Sequence, residues 1–221
     1  MIERYSVLLL LSCLIPGGVI ADMSGSIELP APTLTGSASL EQVIAQRRSQ
    51  REFTNSRLTM AEVGQLFWSA QGITDPRGLR AAPSAGALYP LELYLVAGTI
   101  EDMAPGIYHY RPDRHQLIKT NSGDSRLALA RAALSQGWIA DAAAVIVFAA
   151  DYQRTMKKYG HRSERYVHIE TGHAAENLFL QAQSLGLATV VVGAFDDAAL
   201  ASVLRLPVEL QPLLLMPVGR N

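Results

Sequence analysis

At 221 residues, 49% hydrophobic and 18% charged, the chain is long enough for one sizeable core and too apolar to be disordered. Its 19 Lys and Arg nearly balance 20 Asp and Glu, which argues against a strongly basic nucleic-acid binder and leaves any anion site to local clustering of arginines. The one cysteine, Cys13, leaves the rest of the chain without a disulfide, a thiolate zinc site or a thiol nucleophile.

The first segment has a weakly positive start at Arg4, an apolar run from Val7 to Ile20 and small or medium residues at Val19, Ile20 and Ala21. This is the pattern of a secretory signal over residues 1–21, too short for a membrane-spanning helix. Leu10-Leu11-Ser12-Cys13 also resembles a lipoprotein cleavage box. The expectation is export, periplasmic or lipid-anchored, with membrane attachment only through this segment. Without processing it would be an apolar arm on a cytoplasmic protein. Residues 22–38 are rich in Ser, Pro, Gly and Thr and read as a linker, so the folded domain is expected over 39–221.

Ser39 and Gln42 form a capping-box pattern opening a helix with Leu40, Val43 and Ile44 on its apolar face. Thr59 and Glu62 repeat it ahead of Val63, Leu66, Phe67 and Ala70, with Gly72 as the stop. Leu91 to Ala97 reads as a strand with leucines alternating on one face. Ile107 to Tyr110 and Gln116 to Thr120 flank a turn and predict a hairpin, and Ser125 to Gln136 predicts a helix. Ala143 to Ala150 and Ala188 to Gly193 are apolar runs suited to strands buried on both faces. Between them a long helix is expected from Tyr166 to Leu185, stopped by Gly186. Asp196 can cap a short helix to Leu204, and Leu213 to Val218 gives a last strand. This order does not fit a regular βαβ repeat, so the fold class is α+β, a mixed or antiparallel central sheet flanked by helices.

Two segments carry groups suited to chemistry. Arg47-Arg48-Ser49-Gln50-Arg51 places three guanidiniums and a hydroxyl within five residues, enough to grip a phosphate, or else simply a solvated helix end. Ala82-Pro83-Ser84-Ala85-Gly86-Ala87-Leu88-Tyr89-Pro90 is a small-residue loop that lets backbone approach a flat ligand, or an ordinary turn. His109, His115, His161 and His168 show no metal-ligand spacing, so no metal is expected. Trp68, Trp138, Tyr89 and Tyr108 are aromatics for a pocket wall or the core.

These two segments, followed by Gly172-His173-Ala174-Ala175-Glu176-Asn177 and the run to Phe195, resemble in order and spacing the nitroreductase superfamily. The branch most similar is the SagB-type dehydrogenases, oxidases of thiazole and oxazole peptide biosynthesis. The resemblance runs from about residue 40 to Arg220. It implies a homodimer with FMN at the subunit interface. Arg47, Arg48, Ser49 and Arg51 would contact the ribityl chain, pyrimidine edge and phosphate, with Arg220 a late phosphate ligand. Pro83, Ser84, Ala85, Gly86 and Leu88 would lie along the isoalloxazine from the other subunit. Val192, Gly193 and Ala194 would bring backbone near flavin N5.

Lys158 and Tyr159 resemble a pair placed near substrate in azoline-oxidising relatives. A neutral lysine there could take the proton that accompanies hydride loss, with Tyr159 assisting; otherwise the pair is a polar helix end or loop. His173 and Asn177 share a helix face and read as structural. The implied activity is hydride transfer through flavin N5 by a ping-pong mechanism on a small-molecule or peptide substrate. Two alternatives accompany it, an NAD(P)H-dependent nitro or quinone reductase and a non-catalytic exported flavin-binding module.

Overall fold

The computed structural model describes residues 25–221. The expected signal segment and Cys13 lie outside the described residues. In chain order the elements are β1 (Ser26–Glu28), α1 (Leu40–Gln46), α2 (Met60–Gln71), β2 (Leu91–Ala97), β3 (Gly106–Arg111), β4 (Gln116–Ser122), α3 (Arg126–Ala132), α4 (Trp138–Asp141), β5 (Ala144–Asp151), α5 (Tyr152–Tyr159), α6 (Ser163–Ser184), β6 (Ala188–Thr189), α7 (Asp197–Leu204) and β7 (Leu210–Gly219). The strands form one seven-stranded sheet in the order β1-β4-β3-β2-β5-β7-β6, antiparallel at every pairing of named strands.

Alternation decides which side chains face which layer. Leu91, Leu93 and Leu95 of β2 and Ile146 and Phe148 of β5 enter one core with Leu66, Phe67, Ala174 and Leu178 of α2 and α6. Tyr94, Val96, Val145 and Val147 point the other way, into a second core with Leu129 of α3, Ile139 of α4 and Leu200 of α7. The sheet is therefore covered on both faces, which is why β5 is apolar almost throughout.

Both predicted capping boxes form. Ser39 and Gln42 close one at α1, and Thr59 and Glu62 close the other at α2. Asp196 caps α7 by accepting from Ala199 N–H at 2.8 Å. Several expected boundaries shift. Within the segment read as a linker, Ser26–Glu28 pairs with β4 as an edge strand, Leu29 is buried, and Thr33 exchanges two hydrogen bonds with Gln65. Polar composition marked that segment as loop, but an edge strand needs only backbone partners. The helix expected over Ser125 to Gln136 stops at Ala132, because Leu134 and Ser135 adopt left-handed backbone. Lys158 and Tyr159, for which a polar helix end or loop was the alternative reading, close the separate helix α5 (Tyr152–Tyr159), and α6 starts at Ser163 rather than Tyr166. On α1 only Val43 is buried, whereas Leu40 and Ile44 are 61% and 56% exposed.

The run Ala188 to Gly193 is not one strand. Pairing with β7 ends at Thr189 and resumes only at Val192, which exchanges two 2.9 Å hydrogen bonds with Leu215. Val190 and Val192 are buried while Val191 turns outward, and Gly193 and Ala194 leave the sheet edge exposed.

At the start of α2, the Thr59 hydroxyl accepts from Glu62 N–H at 3.2 Å while the Glu62 carboxylate accepts from Thr59 N–H at 2.8 Å. Thr59→Ala removes half of this exchange, and the expected loss is about 1 kcal/mol of unfolding free energy in urea titration.

Candidate functional site

The arginine-rich segment leaves α1 and runs along the end of the sheet. Gln50 N–H donates to the Thr189 carbonyl at 3.0 Å, and Thr54 N–H donates to the Arg220 carbonyl at 2.8 Å. Phe53 fills the space over Gly219, where a Cβ would stand 2.9 Å from its ring. Residues from the start and finish of the domain thus meet at the β6–β7 edge. Arg47 caps α1 with its backbone, stacks 4.5 Å over the Phe179 ring and lies 4.0 Å from Glu176. Arg48 Nη1 donates to the carbonyls of Ala45 and Arg47, satisfying the helix end, and its residue remains exposed. Ser49 is exposed, and Arg51 lies 5.8 Å from the Trp138 ring. Trp138 begins α4; two residues earlier, Gln136 Nε2 donates to the Ala194 carbonyl at 3.1 Å. The 192–194 turn therefore adjoins the arginines, and Gly193 faces open space.

Arg220 differs from the expectation of a free phosphate ligand. Its Nη2 donates to Glu62 Oε1 at 2.5 Å, so α2's capping carboxylate already holds one face of the guanidinium. The pair is part-exposed, and the guanidinium of Arg48 carries no carboxylate partner among the described residues.

The small-residue loop forms a second cluster. A single turn spans Ala85–Ala87, and Gly86, Ala87 and Tyr89 all have left-handed backbone, with φ of +64°, +52° and +47°. For a residue with a side chain this conformation costs on the order of 1–2 kcal/mol, so something must hold it. Tyr89 is held on every side. Its N–H donates to Ser84 Oγ at 2.9 Å, and its carbonyl accepts from Arg154 Nη1 at 3.0 Å. Its hydroxyl accepts from Arg80 N–H at 3.1 Å, and its ring lies 4.4 Å beneath the Arg80 guanidinium. Arg154 also binds one oxygen of Glu92, and His109 Nε2 donates to the other at 2.7 Å. Burial pushes the Glu92 carboxyl up, but the bonds from His109 and Arg154 outweigh it and hold the group below its ordinary range.

Lys158 and Tyr159, in the last turn of α5, converge on this loop. A Cβ at Gly86 would stand 2.8 Å from Lys158 Nζ and 2.8 Å from Tyr159 Oη. Tyr159 packs edge-on against Tyr166 of α6 at 4.8 Å. Pro83 is exposed, and Ala85 and Leu88 are half-buried. Asn177 donates to the Ala81 carbonyl at 3.3 Å, steadying the loop's start, whereas His173 is exposed rather than paired with it in the core. Helix α6 joins the clusters: Glu170 lies at the loop, while Glu176 and Phe179 lie at Arg47. The separation along the axis is about 9 Å to Glu176 and about 14 Å to Phe179 at 1.5 Å per residue.

A model of the nitroreductase family matches residues 44–220. A protein of Methanocaldococcus jannaschii provisionally named a nitroreductase is 44% identical over 199 residues, covering 90% of this chain and 99% of its own. The chain belongs to the nitroreductase family. Among solved nitroreductase-fold structures, a provisionally named nitroreductase from Ralstonia eutropha superposes with a TM-score of 0.78 at 27% identity, covering 95% of this chain and 96% of that one. The NADPH:FMN oxidoreductase of Vibrio harveyi shares the fold at a TM-score of 0.60 and 23% identity, covering 82% of this chain and 68% of that one. Another relative is the microcin B17-processing protein McbC of Escherichia coli, 28% identical over 167 residues. That match covers 68% of this nitroreductase-family chain but only 58% of McbC.

Sequence reasoning missed Glu170, Arg80 and the Arg154–Glu92–His109 group. Glu170 was legible as a carboxylate inside the helical stripe Val167, Glu170, Ala174, Leu178, all of which are buried. Burial pushes its carboxyl up to about 7, against smaller opposing effects of the Ser84 hydroxyl and the Arg80 charge. Below the ordinary 4.5 both folded and unfolded chains hold this proton; between 4.5 and about 7 only the folded chain does. Its contribution to stability is therefore complete at low pH, declines as pH rises through that window and is level above it. Urea midpoints measured from pH 4 to 8 are expected to show this decline in the native protein and not in Glu170→Gln.

Proposed function

We propose that this nitroreductase-family protein is an FMN-dependent oxidoreductase that works as a homodimer, most like the SagB-type dehydrogenases that oxidise peptide azolines. The observation that carries the reading is the convergence of the 47–54 segment, the 189–194 turn and Arg220 at one sheet edge. A flavin phosphate is dianionic and needs several cations with uncommitted donors; Arg48 and Arg51 are exposed there, with Arg47 and Arg220 beside them. Val192 N–H is committed to the Leu215 carbonyl, so Val192 would only flank the ring, and the open space at Gly193 leaves the backbone of Gly193 and Ala194 to approach it. These residues fit the group.

Bound there, FMN would supply two-electron hydride chemistry that no side chain of the protein can perform. The chain's own part is to bind and orient. Arg47, Arg48, Ser49, Arg51 and Arg220 would hold the phosphate, ribityl chain and pyrimidine edge. The loop of Pro83, Ser84, Ala85, Gly86 and Leu88 would cover the ring bound to the partner subunit. Exposed Leu34, Leu40 and Ile44 offer the apolar surface for that partner. Lys158 and Tyr159 meet at Gly86, and with the ring beneath that loop they would take the proton from substrate as hydride leaves.

Purified protein is expected to be yellow, with flavin absorbance, or to become so on adding FMN. Arg48→Ala and Arg51→Ala are each expected to weaken FMN binding by roughly 10- to 100-fold, the worth of a charge-assisted hydrogen bond. A colourless preparation that takes up no FMN contradicts the reading.

A second reading is a reductase of nitro compounds or quinones driven by NAD(P)H; in its favour, the 44% identical relative is provisionally named a nitroreductase. Anaerobic mixing with NADH and NADPH separates the two. Slow or absent bleaching is expected for the dehydrogenase, and bleaching within milliseconds to seconds supports the reductase.

A further inference from the structure

Glu170 is 2% exposed, yet its Oε1 has no hydrogen-bond partner among the described residues, and nothing in the proposed chemistry uses it. An ionisable group is costly to bury unless its neighbours pair with it or hydrogen-bond to it. The Ser84 hydroxyl faces the carboxyl as a hydrogen-bonding partner, and the same Ser84 Oγ accepts the Tyr89 N–H at 2.9 Å. Tyr89 closes the turn of left-handed residues that begins at Gly86, and Gly86 is the point on which Lys158 and Tyr159 converge. A continuous chain of contacts thus runs from the buried inner face of α6 through Ser84 to the exposed loop.

We propose that Glu170 is the positioning residue of this site, fixing Ser84 and through it the Gly86–Tyr89 turn against Lys158 and Tyr159. The catalytic consequence rests on the reading of the 83–88 loop as the flavin-facing segment. A carboxyl suits the post better than an apolar residue because it accepts the Ser84 O–H and leaves the Ser84 oxygen free to accept from Tyr89. It also makes the turn responsive to protons. The charged group acting on Glu170 is Arg80, which is itself flanked by Glu92 and Arg154 and donates to Gln71 of α2, while Lys158 and Tyr159 of α5 lie at Gly86 of the loop. With burial holding its proton up to about 7, Glu170 changes charge across neutral pH directly beneath the loop.

Hydrogen exchange of the peptide spanning residues 81–90, read by mass spectrometry on the full chain at one pH, tests the link. Glu170→Leu is expected to speed that exchange about tenfold, the equivalent of one lost hydrogen bond, and Glu170→Gln to restore the native rate. Ser84→Ala breaks the same link from the exposed side, and the same acceleration is expected, so a Glu170→Leu chain that fails to fold does not end the test. In turnover, the pH profile of kcat/KM is expected to carry an ionisation near neutrality that Glu170→Gln lacks. Native exchange in folded Glu170→Leu or in Ser84→Ala overturns the proposal, as does survival of the ionisation in Glu170→Gln. Exchange needs neither cofactor nor turnover. A colourless preparation therefore counts against the flavin reading alone, and unchanged exchange in a yellow one counts against this proposal alone.

Discussion

Two backbone hydrogen bonds, Gln50 to Thr189 and Thr54 to Arg220, tie the segment after α1 to the end of the last strand. Without them the arginines of residues 47–51 would sit on an unanchored connection, and three guanidiniums would be scattered surface charge. With them, groups about 170 residues apart in sequence share one edge of the sheet. The antiparallel order makes this available, because β7 lies inside the sheet with β6 beyond it and ends where the 47–54 segment crosses. A phosphate site here needs no basic protein, only a basic corner, consistent with an overall charge near zero.

The second cluster depends on strain that its neighbours hold in place. Three left-handed residues in four are unfavourable by themselves, and Tyr89 stays so only because Ser84, Arg154 and Arg80 each bind a different part of it. Arg154 in turn is fixed by Glu92, whose other oxygen takes His109. Strain held this firmly keeps the loop in one shape, which a relaxed loop would not keep. The long helix α6 gives both clusters a common rigid support, which fixes their separation more reliably than loops could.

Much of this was legible in the sequence because the signals were local. The capping boxes at Ser39 and Thr59, the leucine alternation of Leu91 to Leu95 and the N-cap at Asp196 each follow from residues within one turn or strand. The arginine segment and the Ser84 loop were visible as chemistry, and the backbone of Arg220 is tied to the end of the arginine segment through Thr54. What could not be read depends on partners distant in sequence. Edge strand β1 is defined by its ladder to β4, some 90 residues away, and its own composition is that of a loop. The break after Thr189 reflects how β6 departs from β7, which a run of valines cannot reveal. Arg220's commitment to Glu62 joins positions 158 apart, and the Arg154–Glu92–His109 group joins three elements whose proximity only the sheet order supplies.

The proposed function requires one phosphorylated planar cofactor between the arginine corner of one subunit and the small-residue loop of its partner. A crystal structure of the protein grown with FMN tests it most directly. The expected result is a two-fold dimer with the phosphate within hydrogen-bond distance of Arg48 or Arg51, and the ring beneath the partner's 83–88 loop. FMN bound elsewhere, or a two-fold pairing that leaves no slot for a ring between these two surfaces, would contradict it.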